Sequence, residues 1–454
     1  MANFAIELND RALSVARGGV VLSTVPSAVF DGSGAQPAGS GAWAELRRQP
    51  TAISTRHLGA VSSHGERSAR SLALVNAELA RRLAEHKPAL GERVWIAAPA
   101  RVNANGLGDV LSLLRAQGLS VDGFVDSAAV AVAALSPGRN ALVLELGLHH
   151  LAATAVDSSN QTRRRRAVIS DSGGLMELYE AWLDLISAAM VKRTRFDPLH
   201  NAVSEQQLFD ALPALTKDAA ANGSATATVT VRDERFDVAL SRDQFTEAAL
   251  PIYREILRLL HALRPAGAPM TLVMPRVVTE FPGLRELLES FVGCELVALP
   301  DGFAAAATST LDLPQSTDEQ AVRLLRRLPS SAHPEIAALA ARELLGQQRA
   351  SGPIASHVLF EGKAYSLVDT LVIGRAPGSP QSIRLPEGLA GVSRRHFTFV
   401  REAGELVLVD HSSFGTLVNG ERVSERVRVH AGDKVRIGDP GIEFSLLSLA
   451  ESQV

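Results

Sequence analysis

The spacing of apolar residues in this chain changes near residue 356, and the two patterns belong to different fold classes. Up to about residue 312, short apolar runs alternate with helical patterns in which apolar residues recur every three or four positions. From 356 to 449, only short strand-like runs occur, separated by turns that contain Gly and Asn. The first pattern predicts an α/β domain for 1–312, and the second predicts an all-β sandwich for 356–449.

The segment between these two regions differs from both in its sequence pattern. The stretches TDEQAVRLLRRLP and HPEIAALAARELLGQQR have helical patterns broken by Pro329 and Pro334, and SGPIAS follows them. We therefore predict a helical linker at 313–355. Such a linker would let the α/β region and the sandwich fold independently.

Charge and composition exclude several classes of protein. The 454-residue chain has a net charge of −3, which argues against general nucleic-acid or membrane-surface binding. The single cysteine, Cys294, excludes an intrachain disulfide. The start MANFAIELND is not typical of a signal peptide, and no run approaches the roughly 20 apolar residues of a membrane span. These features predict a cytoplasmic protein without nucleic-acid or membrane partners.

Four short motifs follow one another in the predicted sandwich. They are IGR (373–375), SRRH (393–396), DHSSFGTLVNG (410–420) and GDKVRIG (432–438). Binding residues concentrate in the loops of such rigid scaffolds. Arg375 offers a fixed fork of donors that matches a phosphate dianion, and Ser393 and Ser413 offer hydroxyls from neighbouring loops. The motifs therefore indicate a phosphate-binding site.

In this order, the motifs resemble those of the forkhead-associated (FHA) family, and the resemblance covers nearly all of 356–449. It implies a β-sandwich that docks onto a phosphothreonine in a partner protein. It also implies that Arg375 and Ser393 hold the phosphate, that Arg394 contacts the phosphate or the peptide backbone, and that Ser413 completes the pocket. Structural roles in bracing and turning the loops are implied for Gly374, His396, Gly415, Thr416 and Asn419.

One binding position departs from the family. Phe414 stands where the family usually has an asparagine that holds the peptide backbone, and phenylalanine cannot form that hydrogen bond. Phe414 could instead contact an apolar side chain of a bound phosphopeptide. Alternatively, the domain has lost phosphopeptide binding and makes phosphate-independent protein contacts. The presence of Arg375, Ser393 and Arg394 together favours phosphopeptide binding.

The first region, 1–312, resembles the nucleotide-binding domain of Hsp70-type chaperones within the actin-like ATPase superfamily. The resemblance implies an actin-like α/β fold with a site for ATP and magnesium. The similar stretches occur in the family's order. They are AIELNDRALSVA (5–16) and LELGLHHLAATAVD (144–157) at the two phosphate hairpins, the strand–helix stretch 93–135, DSGGL (171–175), the adenosine motif 272–293 and LPDGFAAAA (299–307).

The predicted nucleotide site lacks most of the residues that phosphates need. Phosphate hairpins are rich in glycine because their backbone N–H groups must approach the phosphates closely. The first hairpin begins at Glu7 and contains no glycine, whereas the second begins at Glu145 and keeps only Gly147. The pair Gly173 and Gly174 is retained. We therefore predict a vestigial site and a pseudo-ATPase without cofactor or metal, although the two glutamates leave binding of magnesium with ATP open.

The combined interpretation is a phosphothreonine-dependent adaptor, with the FHA module joined to a degenerate Hsp70/actin-like domain. Its implied partners are a phosphothreonine-containing protein and an upstream Ser/Thr kinase, in signalling of the bacterial type. One alternative is an active Hsp70-like ATPase whose nucleotide state gates partner binding by the FHA module. Others are a phosphate-independent FHA scaffold and a polymerising actin-like protein.

The run Arg163–Arg166 is a further candidate for contact with a phosphate or an acidic partner. It follows the turn-like sequence DSSNQ between two predicted strands. Charge runs in such positions are more often solvated faces of hairpins than binding sites. We therefore favour a solvated hairpin for this segment.

Overall fold

The protein consists of two compact units. A computed structural model describes residues 3–32, 38–62, 67–136, 140–158, 161–264, 270–291, 294–313, 322–329, 333–344, 355–386, 388–402, 405–418, 421–423, 425–438 and 441–448. The first unit comprises Met1–Glu289 with Gly293–Leu344, and the second comprises Ser290–Val292 with Leu345–Val454. Among the helices of the described ranges, none combines the length and apolar character needed to cross a membrane.

The first half of the first unit is built on a mixed sheet. Its elements are β1 (Phe4–Glu7), β2 (Leu13–Arg17), β3 (Val20–Val25), β4 (Val29–Phe30), α1 (Ser40–Trp43), β5 (Ile53–Ser54), a 3₁₀ helix (His57–Val61), α2 (Ala69–Glu85), β6 (Val94–Ala98), α3 (Ala104–Ala116), β7 (Gly123–Asp126) and α4 (Ser127–Leu135). Strands β1 to β3 form an antiparallel meander. Strand β6 then pairs with β1, and β7 with β6, both in parallel. All five residues of β6 are buried, as expected for a central parallel strand.

The second half repeats this arrangement. Its elements are β8 (Ala141–Leu146), β9 (Leu151–Asp157), β10 (Gln161–Ser170), α5 (Leu175–Thr194), a 3₁₀ helix (Pro198–His200), α6 (Ala202–Asn222), β11 (Ser224–Val231), β12 (Glu234–Ser241), α7 (Arg242–Leu263), β13 (Thr271–Pro275), α8 (Arg276–Thr279), α9 (Leu284–Leu288), β14 (Glu295–Leu299) and α10 (Phe303–Thr310). Strands β8 to β10 form an antiparallel meander. Strand β13 pairs with β8, and β14 with β13, both in parallel. Both halves therefore have the same strand order and directions.

Two helices of small residues connect the cores of the two halves. All nine residues of α4 are buried, and its N-cap Asp126 accepts a hydrogen bond from Ala129 N at 3.0 Å. Helix α10 packs against α4, and its residues Phe303–Ser309 are buried. Alanine side chains allow the two helices to approach closely. The resulting cluster includes Val125 of the first sheet and Val143 of the second, so the halves share one core.

The predicted helical linker at 313–355 is wrong for the described part of that segment. The elements there are β15 (Leu324–Leu325), β16 (Arg327–Pro329), α11 (Pro334–Ala337) and β17 (Ala341–Leu344). Strand β15 extends the first sheet beside β7, while β16 and β17 pair with β10 and β14 at the two ends of the second sheet. Leu328 and Ile336 are buried in the shared core. Long-range pairing therefore overrides the local helical preference.

The second unit is a sandwich of two β-sheets, as predicted. Its strands are β18 (His357–Phe360), β19 (Lys363–Ser366), β20 (Leu371–Gly374), β21 (Ser382–Arg384), β22 (Phe397–Glu402), β23 (Glu405–Asp410), β24 (Leu417–Val418), β25 (Glu421–Arg422), β26 (Arg426–Arg428), β27 (Lys434–Ile437) and β28 (Ile442–Leu447). One sheet has the order β19-β18-β28-β27-β24-β25, and the other has β21-β20-β22-β23-β26. Both contribute to one core that includes Phe397, Phe399 and Phe444.

Candidate functional site

The end of β20 brings two loops of the sandwich together. The backbone N–H of Arg375 donates to Ser393 O at 3.2 Å, and that of Ala376 donates to Arg394 O at 2.9 Å. This close approach explains Gly374, because a Cβ there would lie 2.1 Å from Arg394 O. The predicted binding residues Arg375, Ser393 and Arg394 are therefore adjacent in space.

The guanidinium group of Arg375 has no ion-pair partner among the described residues. Its side chain is half-buried, and its Nε is buried without a hydrogen-bond partner. Elsewhere in the sandwich, Arg428 Nε pairs with Glu405 at 2.6 Å, and Arg426 pairs with Glu402. A buried donor without a partner is unfavourable by about 1–3 kcal/mol. An anion bound at Arg375 would remove that penalty.

Ser393 links two of the loops around this guanidinium. Its Oγ accepts a hydrogen bond from Ser413 N at 3.3 Å, so the two serines predicted for the phosphate pocket are in contact. The Ser393 hydroxyl can still donate its proton. Arg394 is exposed on the same loop. The site therefore offers two arginines and two serines within adjacent loops.

His396 lies beneath these loops and joins them. Its Nδ1 accepts from Ser393 N at 3.0 Å, and its Nε2 lies 3.4 Å from Gly415 O. The first contact requires an unprotonated Nδ1, so Nε2 carries the proton and donates to the carbonyl. Burial lowers the pKa of His396, which favours this neutral form.

Asp410 organises the loop that carries Ser413, and the sequence reasoning missed it. Its carboxylate accepts from Ser412 N at 3.0 Å, from Thr416 N at 3.2 Å and from Thr416 Oγ1 at 2.9 Å. Burial acts to raise the pKa of Asp410, but the hydrogen bonds from Ser412 and Thr416 outweigh it and lower the pKa. The signal in the sequence was an aspartate followed by serines, which is typical of side-chain-stabilised turns. Asn419 lies outside the described residues.

The FHA-domain family model matches residues 371–438, which contain all of these loops. Residues 371–438 are an FHA domain. The prediction from the four motifs is thus confirmed for this part of the chain. A comparison with curated proteins found no match.

Phe414 is exposed at the edge of the binding loops of the FHA domain. Its side chain is 72% exposed, although the neighbouring Gly415 and Thr416 are at least partly covered. A Cβ placed on Gly391 would lie 3.6 Å from Phe414 Cγ, so the ring rests beside the backbone of the 390–392 loop. The aromatic ring therefore lies at the rim of the FHA site rather than in the core.

The predicted nucleotide site in the first unit is crossed by protein contacts. Arg11, in the β1–β2 turn, donates to both carboxylate oxygens of Asp301, at 2.5 and 3.0 Å. Its Nε also donates to Leu146 O at 3.3 Å, at the end of β8. The Arg11 side chain is only 7% exposed. This guanidinium therefore ties the first hairpin to the second hairpin and to the loop before α10.

A second set of contacts joins the two hairpins directly. Asp10 Oδ1 accepts from Leu148 N at 2.9 Å, and Asp10 Oδ2 lies 3.5 Å from His150 Nδ1 and from Arg101 Nη1. Burial acts to raise the pKa of Asp10, but the charges and hydrogen bonds of these partners lower it well below its usual range. The backbone N–H of Leu148, which could face a phosphate, is thus already paired.

Of the two predicted acidic positions in this site, Glu145 is buried and Glu7 is partly buried. Burial raises the pKa of Glu7 to about 7 and that of Glu145 to about 8. Glu7 Oε2 accepts from Ala305 N at 3.1 Å, and Glu145 Oε2 accepts from Ala100 N at 3.3 Å. Glu145 Oε1 is buried without a hydrogen-bond partner in the described part of the chain. Carboxyls in such surroundings keep their protons to a higher pH than exposed carboxyls do.

The predicted glycines lie on one side of the same site. Gly147 N donates to His150 O at 3.0 Å, while a Cβ on Gly147 would lie 1.9 Å from the His150 ring. Gly173 and Gly174 precede α5, and a Cβ on Gly174 would lie 2.6 Å from Leu148 O. These glycines allow close packing of protein on protein.

The cavity between the two hairpins is small. The cavity lined by Glu7, Arg11, Glu145 and Asp301 has a volume of about 60 Å³. Pockets for cofactors and drug-sized ligands typically have about 300–1,000 Å³. Among the described residues, no group of three or more His, Cys, Asp or Glu side chains is arranged to hold a metal ion.

The arginine run on β10 mostly contacts acidic side chains of its own unit. Arg164 Nη1 pairs with the buried Asp126 at 2.8 Å, next to the start of α4. Arg163 and Arg165 both pair with Asp157 on β9, at 3.3 and 2.9 Å. The run therefore neutralises internal carboxylates in addition to forming a partly exposed strand.

Proposed function

We propose that this protein is a phosphothreonine-dependent adaptor whose FHA domain docks onto a phosphorylated partner. The observation that carries the proposal is the Arg375 guanidinium, which is half-buried and has no ion-pair partner among the described residues. Arginine donates two parallel, charge-assisted hydrogen bonds to a phosphate, and each such bond is stronger than a neutral one. The site therefore favours a phosphorylated side chain over an unmodified one.

The surrounding loops supply the remaining parts of a phosphate pocket. Ser393 and Ser413 are linked by a 3.3 Å hydrogen bond, and Arg394 extends from the same loop as Ser393. The buried His396 fixes that loop to Gly415. Because the loops that carry these donors are held by hydrogen bonds before any ligand arrives, little ordering of the backbone is needed on binding.

FHA domains bind phosphothreonine, so the partner is proposed to be a phosphothreonine-containing protein. A Ser/Thr kinase must act upstream, because threonine phosphorylation creates the docking group. Signalling of the bacterial Ser/Thr-kinase type, in the cytoplasm, is the setting that this combination of domains favours.

For the first unit, we propose a degenerate Hsp70/actin-like fold. Two sheets with the same strand order support this proposal, as do the paired helices α4 and α10 between their cores. We further propose that this unit does not hydrolyse ATP. That step is supported by the contacts of Arg11 with Asp301 and by the cavity of about 60 Å³.

Binding of a phosphothreonine peptide library to the full-length protein tests the proposal. We expect selected peptides to bind only when phosphorylated. Arg375→Ala should weaken binding by about 1.5–3 kcal/mol, the value of hydrogen bonds to a charged group. Arg428→Ala is the matched control, because it removes an exposed guanidinium that is already paired with Glu405. Equal binding by Arg375→Ala and the wild type would show that the phosphate site is assigned wrongly.

The competing hypothesis is a scaffold whose contacts with partners do not depend on phosphorylation. In that case, partners captured from a lysate would remain bound after phosphatase treatment, and Arg375→Ala would capture the same set. If phosphatase treatment and Arg375→Ala each release the partner, while Arg428→Ala retains it, the phosphothreonine-dependent adaptor is supported.

A further inference from the structure

Phe414 exposes an aromatic ring directly beside the phosphate-binding loops. Its side chain is 72% exposed, and its neighbour Ser413 donates a backbone hydrogen bond to Ser393 Oγ at 3.3 Å. Burial of an exposed aromatic ring against an apolar group of a ligand is favourable. The position of the ring thus extends the polar site with an apolar rim.

The ring has a fixed support. A Cβ on Gly391 would lie 3.6 Å from Phe414 Cγ and 3.6 Å from Gly438 Cα, so the ring lies beside loop backbone that carries no side chains. The loop of Phe414 is itself held by the hydrogen bonds of Asp410 to Ser412 and Thr416. An exposed ring on a supported loop can bury apolar surface of a ligand at low entropic cost.

We propose that Phe414 forms an apolar subsite that selects phosphothreonine peptides with an apolar side chain next to the phosphorylated residue. The inference rests on the proposed phosphothreonine binding of the same loops. Successive residues of an extended peptide are about 3.3–3.6 Å apart, so a residue flanking the phosphothreonine reaches the ring beside Ser413. Burial of a side chain against Phe414 would then add affinity that an asparagine at this position could not supply.

A peptide fits this surface better than a membrane does. Membrane insertion uses several apolar side chains that project from one face. In the described part of the FHA unit, the other exposed large apolar side chain is Val368, which precedes β20, whereas Arg375 follows it. Val368 therefore lies at the end of β20 away from Arg375. A single ring next to phosphate donors matches one side chain of a peptide.

The test compares peptide preferences of the full-length wild type with those of Phe414→Ser, Phe414→Leu and Val368→Ser. Each peptide carries one phosphothreonine, and each flanking position is varied between leucine and serine. We expect the wild type to prefer leucine at one flanking position by about tenfold, the equivalent of burying part of an apolar side chain. Phe414→Ser should lose this preference, whereas Phe414→Leu and the exposed control Val368→Ser should retain it. All variants should still require phosphorylation.

The outcomes separate this inference from the function on which it rests. If the wild type binds phosphothreonine peptides without a leucine preference, or if Phe414→Ser keeps the preference, the apolar subsite is wrong while phosphothreonine binding stands. If no phosphorylated peptide binds, both are overturned. If Phe414→Ser instead loses binding to vesicles that contain a phosphoinositide, and peptide preferences do not change, the ring contacts membranes and the subsite is rejected.

Discussion

Arg11 and Asp301 form a two-pronged ion pair across the site where the resemblance of the first unit places a nucleotide. The guanidinium is nearly buried, and the carboxylate is 39% exposed. Charge-assisted pairs of this geometry are directional as well as strong. A phosphate could reach the Nη donors of Arg11 only by displacing Asp301 from them.

Because of this ion pair, we predict that nucleotide does not change the stability of the protein. We expect millimolar ATP with magnesium to leave the melting temperature of the full-length protein unchanged. A ligand present at 100 times its Kd would raise the free energy of unfolding by about 2.7 kcal/mol, which a thermal shift detects. Asp301→Asn should lower stability by about 1–3 kcal/mol, because it weakens the hydrogen bonds of a nearly buried guanidinium. A magnesium-dependent shift of the wild type by ATP would show that the site is functional.

Stability should depend on pH through the carboxyls of the partly buried Glu7 and the buried Glu145. Their pKa values are raised to about 7 and about 8, so the folded state holds their protons more tightly than the unfolded state does. Their contribution is therefore complete at acidic pH and is lost as the pH rises through these values. The effect of Glu145→Gln on the free energy of unfolding should therefore differ between pH 5 and pH 9. The substitution should be more stabilising near pH 9 than near pH 5, by at least about 1.4 kcal/mol.

Denaturant unfolding across this pH range measures the effect. Glutamine retains an oxygen that can accept from Ala100 N, so the substitution removes the titration and keeps the contact. Glu234→Gln, at the exposed start of β12, is the control and should leave the pH dependence of the wild type unchanged. Parallel curves for Glu145→Gln and the wild type would contradict the assignment.

Gly374→Ala should disrupt the FHA site without touching a binding side chain. The added Cβ would lie 2.1 Å from Arg394 O, so the two loops that meet there must separate. Overpacking of this kind typically lowers stability by about 1–3 kcal/mol. We expect a lower melting temperature and weaker phosphopeptide binding.

Gly378→Ala is the control for this prediction. Its new Cβ meets nothing within 4 Å, so the variant reports only the strain of a positive φ of 67°. Equal phosphopeptide binding by Gly374→Ala and the wild type would show that the loops can separate without effect.

The first unit should fold as a fragment that ends at residue 344 and not as one that ends at 312. The shorter fragment would leave strands β7, β10 and β14 without their neighbours β15, β16 and β17. Unpaired strand edges promote association between chains. Sedimentation and circular dichroism should show a folded monomer for 1–344 and aggregation for 1–312. A stable monomer from 1–312 would mean that the three edge strands are dispensable.

The FHA site could be predicted from the sequence because its functional groups lie in short, contiguous motifs. Arg375 directly follows an apolar strand, and Ser393 and His396 are three residues apart within one loop. Spacing of this kind fixes which side chains can meet. The part played by Asp410 was missed because its partners are mainly backbone N–H groups, which every sequence contains.

The segment after residue 312 shows why the rest could not be predicted. Its apolar residues recur at helical spacing, yet Leu328 lies on a strand and is buried in a core built by residues far earlier in the chain. Arg164 likewise pairs with Asp126, 38 residues away. Partners at such distances in sequence are set by the whole fold and leave no local pattern.

The late position of the edge strands β15, β16 and β17 has a consequence for biosynthesis. A ribosome must complete just over three quarters of the chain, up to Leu344, before the first unit has all of its sheet neighbours. Domains generally fold in order from the N-terminus during translation. Here, however, the first unit cannot complete its two sheets long before synthesis of the second unit begins. Nascent chains stalled before β15 would expose three open sheet edges and would be natural clients of chaperones.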